Sequence, residues 1–288
     1  ADYHTSGAWT AVGVAAMTAR ILGCNAAQIH EAAGIGEYHG PRSQMLRCID
    51  FPTMVRDGVG WGAPTGVTAG VLAHNSFTGA PALTCQGPHW VGLGDHWKLV
   101  TDTHYKPYPC CRWAHPSIDA AAELMTRHAL SHHDIASVEI KTFHNATRLA
   151  GHTPVSADEF AYSIAFPVAC MIVRGQVGVS ELDISALSNP EILRISTATT
   201  LIDDPHLTQI SDGKRWAQVS ILMEDGTRYE AAPRTPRGDT DLPLSDREIS
   251  DKYHLFADPI LGGETAERIE NLCAEFDQLD ASGVQGLL

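Results

Sequence analysis

Residues 106–116 read Lys-Pro-Tyr-Pro-Cys-Cys-Arg-Trp-Ala-His-Pro, soon after the character of the sequence changes beyond Trp97. The prolines fix φ, so the polar side chains between them can be held at little cost in chain entropy. A helix is predicted from His115 to His128, because Pro116 suits the first turn of a helix. The stretch separates a first part rich in alanine and glycine from a middle part that mixes strand and helix patterns.

The first hundred residues predict packed helices. Residues 6–23 are apolar on nearly all sides, begin with a serine that can cap a helix and end with a glycine that can stop it, which predicts a buried helix. Further helices are predicted over residues 26–34 and 62–74. Gly66 and Gly70 share one face of the last of these, which favours close contact with a neighbouring helix.

The part of the chain after the proline-rich stretch predicts both strands and helices. Apolar residues alternate over residues 136–143 and 217–223, and the second of these strands turns back at an Asp-Gly pair. An apolar helix is predicted over residues 160–173, with a kink at Pro167. These patterns predict a small α+β domain.

The last part of the chain returns to helical patterns after a linker with three prolines over residues 232–245. Ser245 and Glu248 form a capping-box pattern, and residues 264–279 predict an amphipathic helix. Amphipathic helices need an apolar partner, so these are expected to pack against the first set of helices.

The patterns together predict an α+β fold in three segments. Residues 1–100 form the first part of a helical domain, and residues 241–288 return to complete it. Residues 101–240 form an α+β domain inserted between the two.

Composition excludes several classes of protein. The chain has 288 residues, 44% of them hydrophobic, and a net charge of -14 without a basic stripe, which excludes nucleic acid as a partner. No apolar run approaches the ~18 residues of a membrane span, and no signal-peptide pattern opens the chain. The seven cysteines form no CxxC pair, which favours a reducing cytoplasm over a disulfide framework.

Three segments carry candidate site residues. Lys106, Arg112 and His115 place two cations and a histidine on one rigid loop, which suits carboxylate binding. His4 precedes a buried helix, where a neutral imidazole could act as a general base. Arg56 lies in a glycine-rich segment and could bind a carboxylate. Each segment has a structural alternative. The charges at residues 106–115 could be incidental to a surface loop, His4 could be an ordinary histidine near a helix start, and Arg56 could pair with Asp57 or solvent.

These segments resemble motifs of the MmgE/PrpD family in the same order. The Lys-Pro-Tyr-Pro-Cys-Cys-Arg run is the most specific, and the resemblance covers nearly the whole chain. The matching segments are Tyr3–Gly7, Asp57–Gly62, Phe77–Gly79, Lys106–Asp119, Tyr162–Pro167 and Pro243–Ser245.

The resemblance implies an all-helical domain built from both chain ends, an inserted α+β lid and an active site between them. It also implies a homodimer that needs no metal and no organic cofactor. His4 and Lys106 match catalytic residues of the family. Arg56 falls near a position where many members carry lysine, and arginine could bind charge there but not serve as a base. Family chains are longer at the front, so an N-terminal helical segment is expected to be missing.

The sequence therefore predicts a cytoplasmic lyase that abstracts a proton from a small polycarboxylate such as 2-methylcitrate. In this hypothesis His4 moves the proton, Lys106, Arg56 and Arg112 stabilise negative charge, and His115 helps to orient the substrate.

Several alternatives stay open. Decarboxylation or epimerisation of a related polycarboxylate would use the same intermediate. A non-catalytic subunit that completes a site with another chain is a different class. A metal-dependent hydrolase is a third, suggested by the His132-His133 and Cys110-Cys111 pairs but unsupported by any HExxH motif.

Overall fold

The computed structural model describes residues 3–4, 6–44, 46–55, 58–88, 92, 94–95, 97 and 102–279. Contacts divide the chain into two compact units, residues 1–97 and 98–288. Both helix and sheet are present, which agrees with the predicted α+β class. Residues 241–288 fall within the second unit in this division, and their predicted packing against residues 1–100 stays a prediction.

In its described residues, the first unit consists of helices and one very short strand pair. Strand β1 (Tyr3–His4) pairs antiparallel with β2 (Ser43–Gln44). The helices are α1 (Ser6–Ile21), α2 (Ala26–His39), α3 (Arg47–Asp50), α4 (Val59–His74) and α5 (Leu83–Gln86).

Small residues bring α1 and α4 close together. A Cβ atom on Gly66 would lie 2.6 Å from the carbonyl oxygen of Ala11, and one on Gly70 would lie 2.6 Å from Cβ of Thr18. The predicted close contact at these two glycines is thus confirmed. The predicted end of the second helix at Gly34 is wrong, because α2 continues to His39. A Cβ on Gly34 would lie 1.8 Å from the carbonyl oxygen of Ala80. This glycine therefore lets the backbone around Ala80 pack closely against α2, and it does not end the helix.

The helix contact gives a stability prediction. Gly66→Ala is expected to destabilise the protein by about 2 kcal/mol, because the added methyl group has no room between α1 and α4. Gly13→Ala is the matched control, since nothing lies within 4 Å of its Cβ position in α1. That change is expected to stabilise by about 0.5–1 kcal/mol. Urea unfolding of both variants checks the pair, and equal effects would contradict the packing argument.

The second unit contains a four-stranded sheet with helices packed against it. The strands are β3 (Ile135–Thr142), β4 (Thr199–Asp203), β5 (Ala217–Met223) and β6 (Arg228–Glu230). Their order across the sheet is β4-β3-β5-β6, and only β3 and β4 are parallel. The helices are α6 (His115–His128), α7 (Ala157–Ala161), α8 (Ala165–Arg174), α9 (Ile184–Leu187), α10 (Pro190–Thr197), α11 (Pro205–Ile210), α12 (Asp246–Leu261) and α13 (Gly263–Ala274).

The predicted single helix over residues 160–173 is wrong. The chain forms α7 and α8 instead, with a break at residues 162–164. Pro167 is the third residue of α8, where its missing N–H costs no helical hydrogen bond, so it causes no kink. The hydroxyl of Ser163 accepts a hydrogen bond from the backbone N–H of Phe166 at 3.1 Å and so supports the start of α8.

Other predicted elements of this unit are confirmed. The strands over residues 136–143 and 217–223 appear as β3 and β5, and Ser245 caps α12 through the predicted capping box. The helix predicted over residues 264–279 ends earlier, at Ala274, and a short 3-10 turn follows. None of the described helices combines the length and apolar character that a bilayer span requires.

Candidate active site

The proline-rich stretch forms a loop that is held at several points in the second unit. The hydroxyl of Tyr108 donates to the Asp119 carboxylate at 2.7 Å, and the N–H of Cys111 donates to the carbonyl of Ala161 at 2.8 Å. Burial, followed by the neighbouring Asp119 carboxylate, raises the pKa of Tyr108, so its hydroxyl stays protonated. The loop is therefore anchored to both α6 and α7.

Two lysines come together at the start of this loop. Lys106 is exposed, and its Nζ lies 3.4 Å from the carbonyl oxygen of Cys110. Lys252, on α12, donates from Nζ to the carbonyl oxygen of Lys106 at 2.5 Å. Burial and the charge of Lys106 lower the pKa of Lys252. Within the described ranges, neither ammonium group pairs with a carboxylate, so two positive charges adjoin each other without a counter-ion.

Arg112 has an internal partner. Its Nε donates to Asp239 at 2.9 Å, and Nη2 contacts the second oxygen of the same carboxylate. Nδ1 of His104 lies 3.0 Å from Asp239 as well. Because Asp239 is buried and bound in this two-pronged manner, it offsets the charge of Arg112. Arg112 therefore fixes the linker to the loop, and its predicted role in substrate binding stays a prediction.

His115 is buried, within the electrostatic influence of the three cations Lys106, Arg112 and Lys252. Only 1% of the residue is exposed, and its Nε2 donates to the carbonyl of Cys110 at 3.3 Å. Burial, and then the charges of Lys106, Arg112 and Lys252, lower the pKa of His115 to about 3. The imidazole is thus neutral near neutral pH, and in this structure it supports the loop through the Cys110 carbonyl. Its predicted contact with substrate stays a prediction.

The other two predicted residues lie in the first unit, where the structure describes only part of their surroundings. His4 pairs through its backbone with Ser43, and its side chain lies outside the described part of the chain, as does all of Arg56. A cavity of about 510 Å³ lies along β2. It is lined by Arg42, Ser43, Gln44, Arg47, Cys48, Phe51, Thr53 and Val55.

This cavity carries two arginines that sequence reasoning did not single out. Arg42 donates to the carbonyls of Gly40 and Glu37 at 3.0 and 3.3 Å, and Arg47 donates to the side-chain oxygen of Gln44 at 3.2 Å. Among the described residues both guanidinium groups bond to neutral acceptors, which leaves their charge available to an anion.

A second cavity, of about 440 Å³, lies in the second unit and borders Tyr108. Its described lining holds no cation, so we assign no anionic ligand to it. The lining consists of Tyr108, Met171, Gly175, Gln176, Val177, Gly178, Val179, Ser180, Leu255 and Pro259.

The structure brings together three of the five predicted residues. These three are Lys106, Arg112 and His115, since the positive charges of the first two both lower the pKa of the His115 imidazole. Lys252 and Asp239 belong to the same cluster and were missed, because each lies more than a hundred positions along the chain from its partner. No local pattern marks either residue.

Comparison with known sequences identifies the family. The sequence model of the MmgE/PrpD C-terminal domain matches residues 108–278, more than half of the chain. The chain belongs to the MmgE/PrpD family. The match begins at Tyr108 in the proline-rich loop, and it extends through the sheet and across α12 and α13. The resemblance that the sequence motifs suggested is thereby confirmed.

Two curated relatives are distant and much longer. The cis-aconitate decarboxylase-like protein oryM of Aspergillus oryzae is 25% identical over 190 residues, which are 62% of this chain and 38% of the relative. Cis-aconitate decarboxylase of Homo sapiens is 21% identical over 187 residues, which are 64% of this chain and 39% of the relative. The alignments thus span about two fifths of the length of each relative.

Proposed function

We propose that the chain supplies part of an active site that removes a proton from the carbon next to a carboxylate of a small polycarboxylate. The observation that carries the proposal is the Lys106–Lys252 pair, which has no carboxylate partner among the described residues. Cations held together without a counter-ion favour an anionic ligand. They are also placed to stabilise negative charge as it develops in the transition state. An acidic chain of net charge -14 makes such a local excess of positive charge notable.

The proposal gives each residue a distinct task. Lys106 and Lys252 bind carboxylate oxygens and stabilise the enolate-like charge. His115 holds the loop in place, and Arg112 does so through Asp239. His4 keeps its predicted role as the group that moves the proton, and Arg56 keeps its role as a carboxylate ligand.

The first unit supports the same class of ligand. Arg42 and Arg47 line a cavity along β2, the strand that pairs with the backbone of His4, and Val55 in the same lining precedes Arg56. We propose that these arginines bind a carboxylate within that cavity.

The reaction class is a lyase that works with side chains alone. The names of both relatives favour cis-aconitate as the first compound to test. Dehydration of 2-methylcitrate, the leading expectation from the sequence, and epimerisation of iminodisuccinate share the same first step, the loss of a proton beside a carboxylate. A homodimer in the cytoplasm is the expected state of the protein.

Deuterium exchange tests the proposal without requiring a full turnover. The chain is incubated in heavy water with cis-aconitate, citrate, 2-methylcitrate or iminodisuccinate, and proton NMR follows the signals next to the carboxylates. We expect catalysed exchange in at least one compound, and none in propionate, which carries a single carboxylate. Binding without exchange would indicate a subunit that completes its site with another chain. If the chain neither binds any of the four compounds nor catalyses exchange in any of them, the proposal is wrong.

A further inference from the structure

Three potential metal ligands meet between the turn before β3 and helix α10. His132, His133 and Glu191 each offer one ligand atom, and the three atoms lie within 4.8 Å of one another. The Nδ1 atoms of His132 and His133 lie 3.7 and 3.8 Å from the same carboxylate oxygen, Oε2 of Glu191. These distances are too long for hydrogen bonds, so the carboxylate faces two imidazoles without bonding to either.

A network around Glu191 holds this arrangement in place. Nε of Arg194 donates to Oε2 of Glu191 at 3.2 Å, while the same guanidinium donates to the carbonyls of His132 and Ile135 at 2.7 and 2.9 Å. The side chain of Asn189 accepts from the N–H of Glu191 at 3.0 Å. Outer contacts of this kind orient the ligands of metal sites. The carboxylate and the histidine turn are therefore fixed to each other before any ion binds.

One atom of the cluster lacks a partner. Nδ1 of His132 is buried and makes no hydrogen bond within the described part of the chain. A buried polar atom without a partner is costly, and such an atom needs an explanation. An ion between Nδ1 of His132 and the Glu191 carboxylate would satisfy it.

We propose that His132, His133 and Glu191 bind one zinc ion, with a fourth position open to water. Imidazole nitrogen and carboxylate oxygen suit zinc, and zinc bonds of about 2.0–2.1 Å in a tetrahedron place neighbouring ligands about 3.3–3.4 Å apart. The two nitrogen–carboxylate separations need to close by about 0.3–0.5 Å, and the separation between the two imidazole nitrogens, which lies within 4.8 Å, by at most about 1.5 Å. The ion would fasten the turn before β3 to α10.

This site is independent of the proposed polycarboxylate chemistry, because it shares no residue with the Lys106–Lys252 cluster. The positive charge of Arg194 beside Glu191 opposes a cation. This repulsion lowers the affinity of the site for zinc, so the ion is expected to exchange with the solvent.

Zinc titration of the tag-free full chain tests the proposal. After removal of metal with a chelator, isothermal titration with zinc chloride is expected to show a site that His133→Ala and Glu191→Gln each weaken by about tenfold or more. His206→Ala is the matched control, because this exposed histidine on α11 lies outside the cluster. Zinc is also expected to raise the melting temperature of the wild type and of His206→Ala, but not of His133→Ala.

The decisive comparison uses His133, whose side chain is 69% exposed, so its replacement is not expected to disturb folding. If His133→Ala binds zinc as tightly as the wild type, or if the wild type binds none, the proposal is wrong. The same conclusion follows if His206→Ala weakens binding as much as His133→Ala does.

Discussion

Replacing Lys106 with methionine is expected to lower the rate of catalysed deuterium exchange by about 10²-fold or more. The methionine keeps the apolar length of the side chain and removes its charge, so the loss measures stabilisation of the developing negative charge. Lys252→Met is also expected to lower the exchange rate, because Lys252 donates to the backbone carbonyl of Lys106 and lies close enough for the Lys106 charge to lower its pKa. The measurement is the initial exchange rate by NMR with the compound that exchanges fastest.

Lys141→Met is the matched control for both lysine variants. Lys141 lies on β3 beside Glu139, with Nζ 3.9 Å from the carboxylate, so it differs from Lys106 and Lys252 in having an acidic partner. Its replacement is expected to leave the exchange rate within about twofold of the wild type, as surface changes do. An equal loss of rate in Lys141→Met and Lys106→Met would mean that overall charge, and not the cluster, sets the rate.

Acid is expected to destabilise the protein through His115, and His115→Gln should remove much of this effect. The pKa of His115 is lowered to about 3 in the folded protein, against an ordinary value of 6.5. Between those two values the unfolded chain binds a proton that the folded chain does not bind. The free energy of unfolding therefore rises with pH across this window and falls as the pH drops through it. One proton corresponds to about 1.4 kcal/mol per pH unit.

Urea unfolding at several pH values between 6 and 4 measures this slope. The wild type is expected to lose about 1.4 kcal/mol more per pH unit than His115→Gln. Asp119, whose pKa burial raises, acts in the opposite direction but is present in both proteins, so its contribution cancels. The His206→Gln variant, which replaces an exposed histidine on α11, serves as the control. Equal slopes for the wild type and His115→Gln would show that His115 is not the titrating group.

The elements that the sequence predicted well are those with a local physical cause. Helix α12 begins at Ser245 because its side chain and that of Glu248 bond to the backbone at the helix start. Strands β3 and β5 follow from alternating apolar residues that face the core. The cluster of Lys106, Arg112 and His115 was predictable for the same reason, since all three lie on one loop.

The elements that were missed or wrong depend on distant parts of the chain. Strand β4 is a short run with a polar start and end, and it becomes a strand by pairing with β3. The break before α8 is accompanied by a hydrogen bond from the N–H of Phe166 to the hydroxyl of Ser163, which periodicity does not show. Lys252 and Asp239 reach the loop from far along the chain, and only the folded backbone places them there.

The strand order has a consequence for how the second unit assembles. Strand β3 lies between β4 and β5, and both neighbours are made after it during synthesis. The backbone N–H and C=O groups of β3 that bond to those neighbours therefore stay unpaired while the ribosome adds the long crossover to β4 and then β5. Contacts that close such large loops form late and slowly. The nascent chain thus passes through a stage with an unpaired central strand, the species most exposed to self-association.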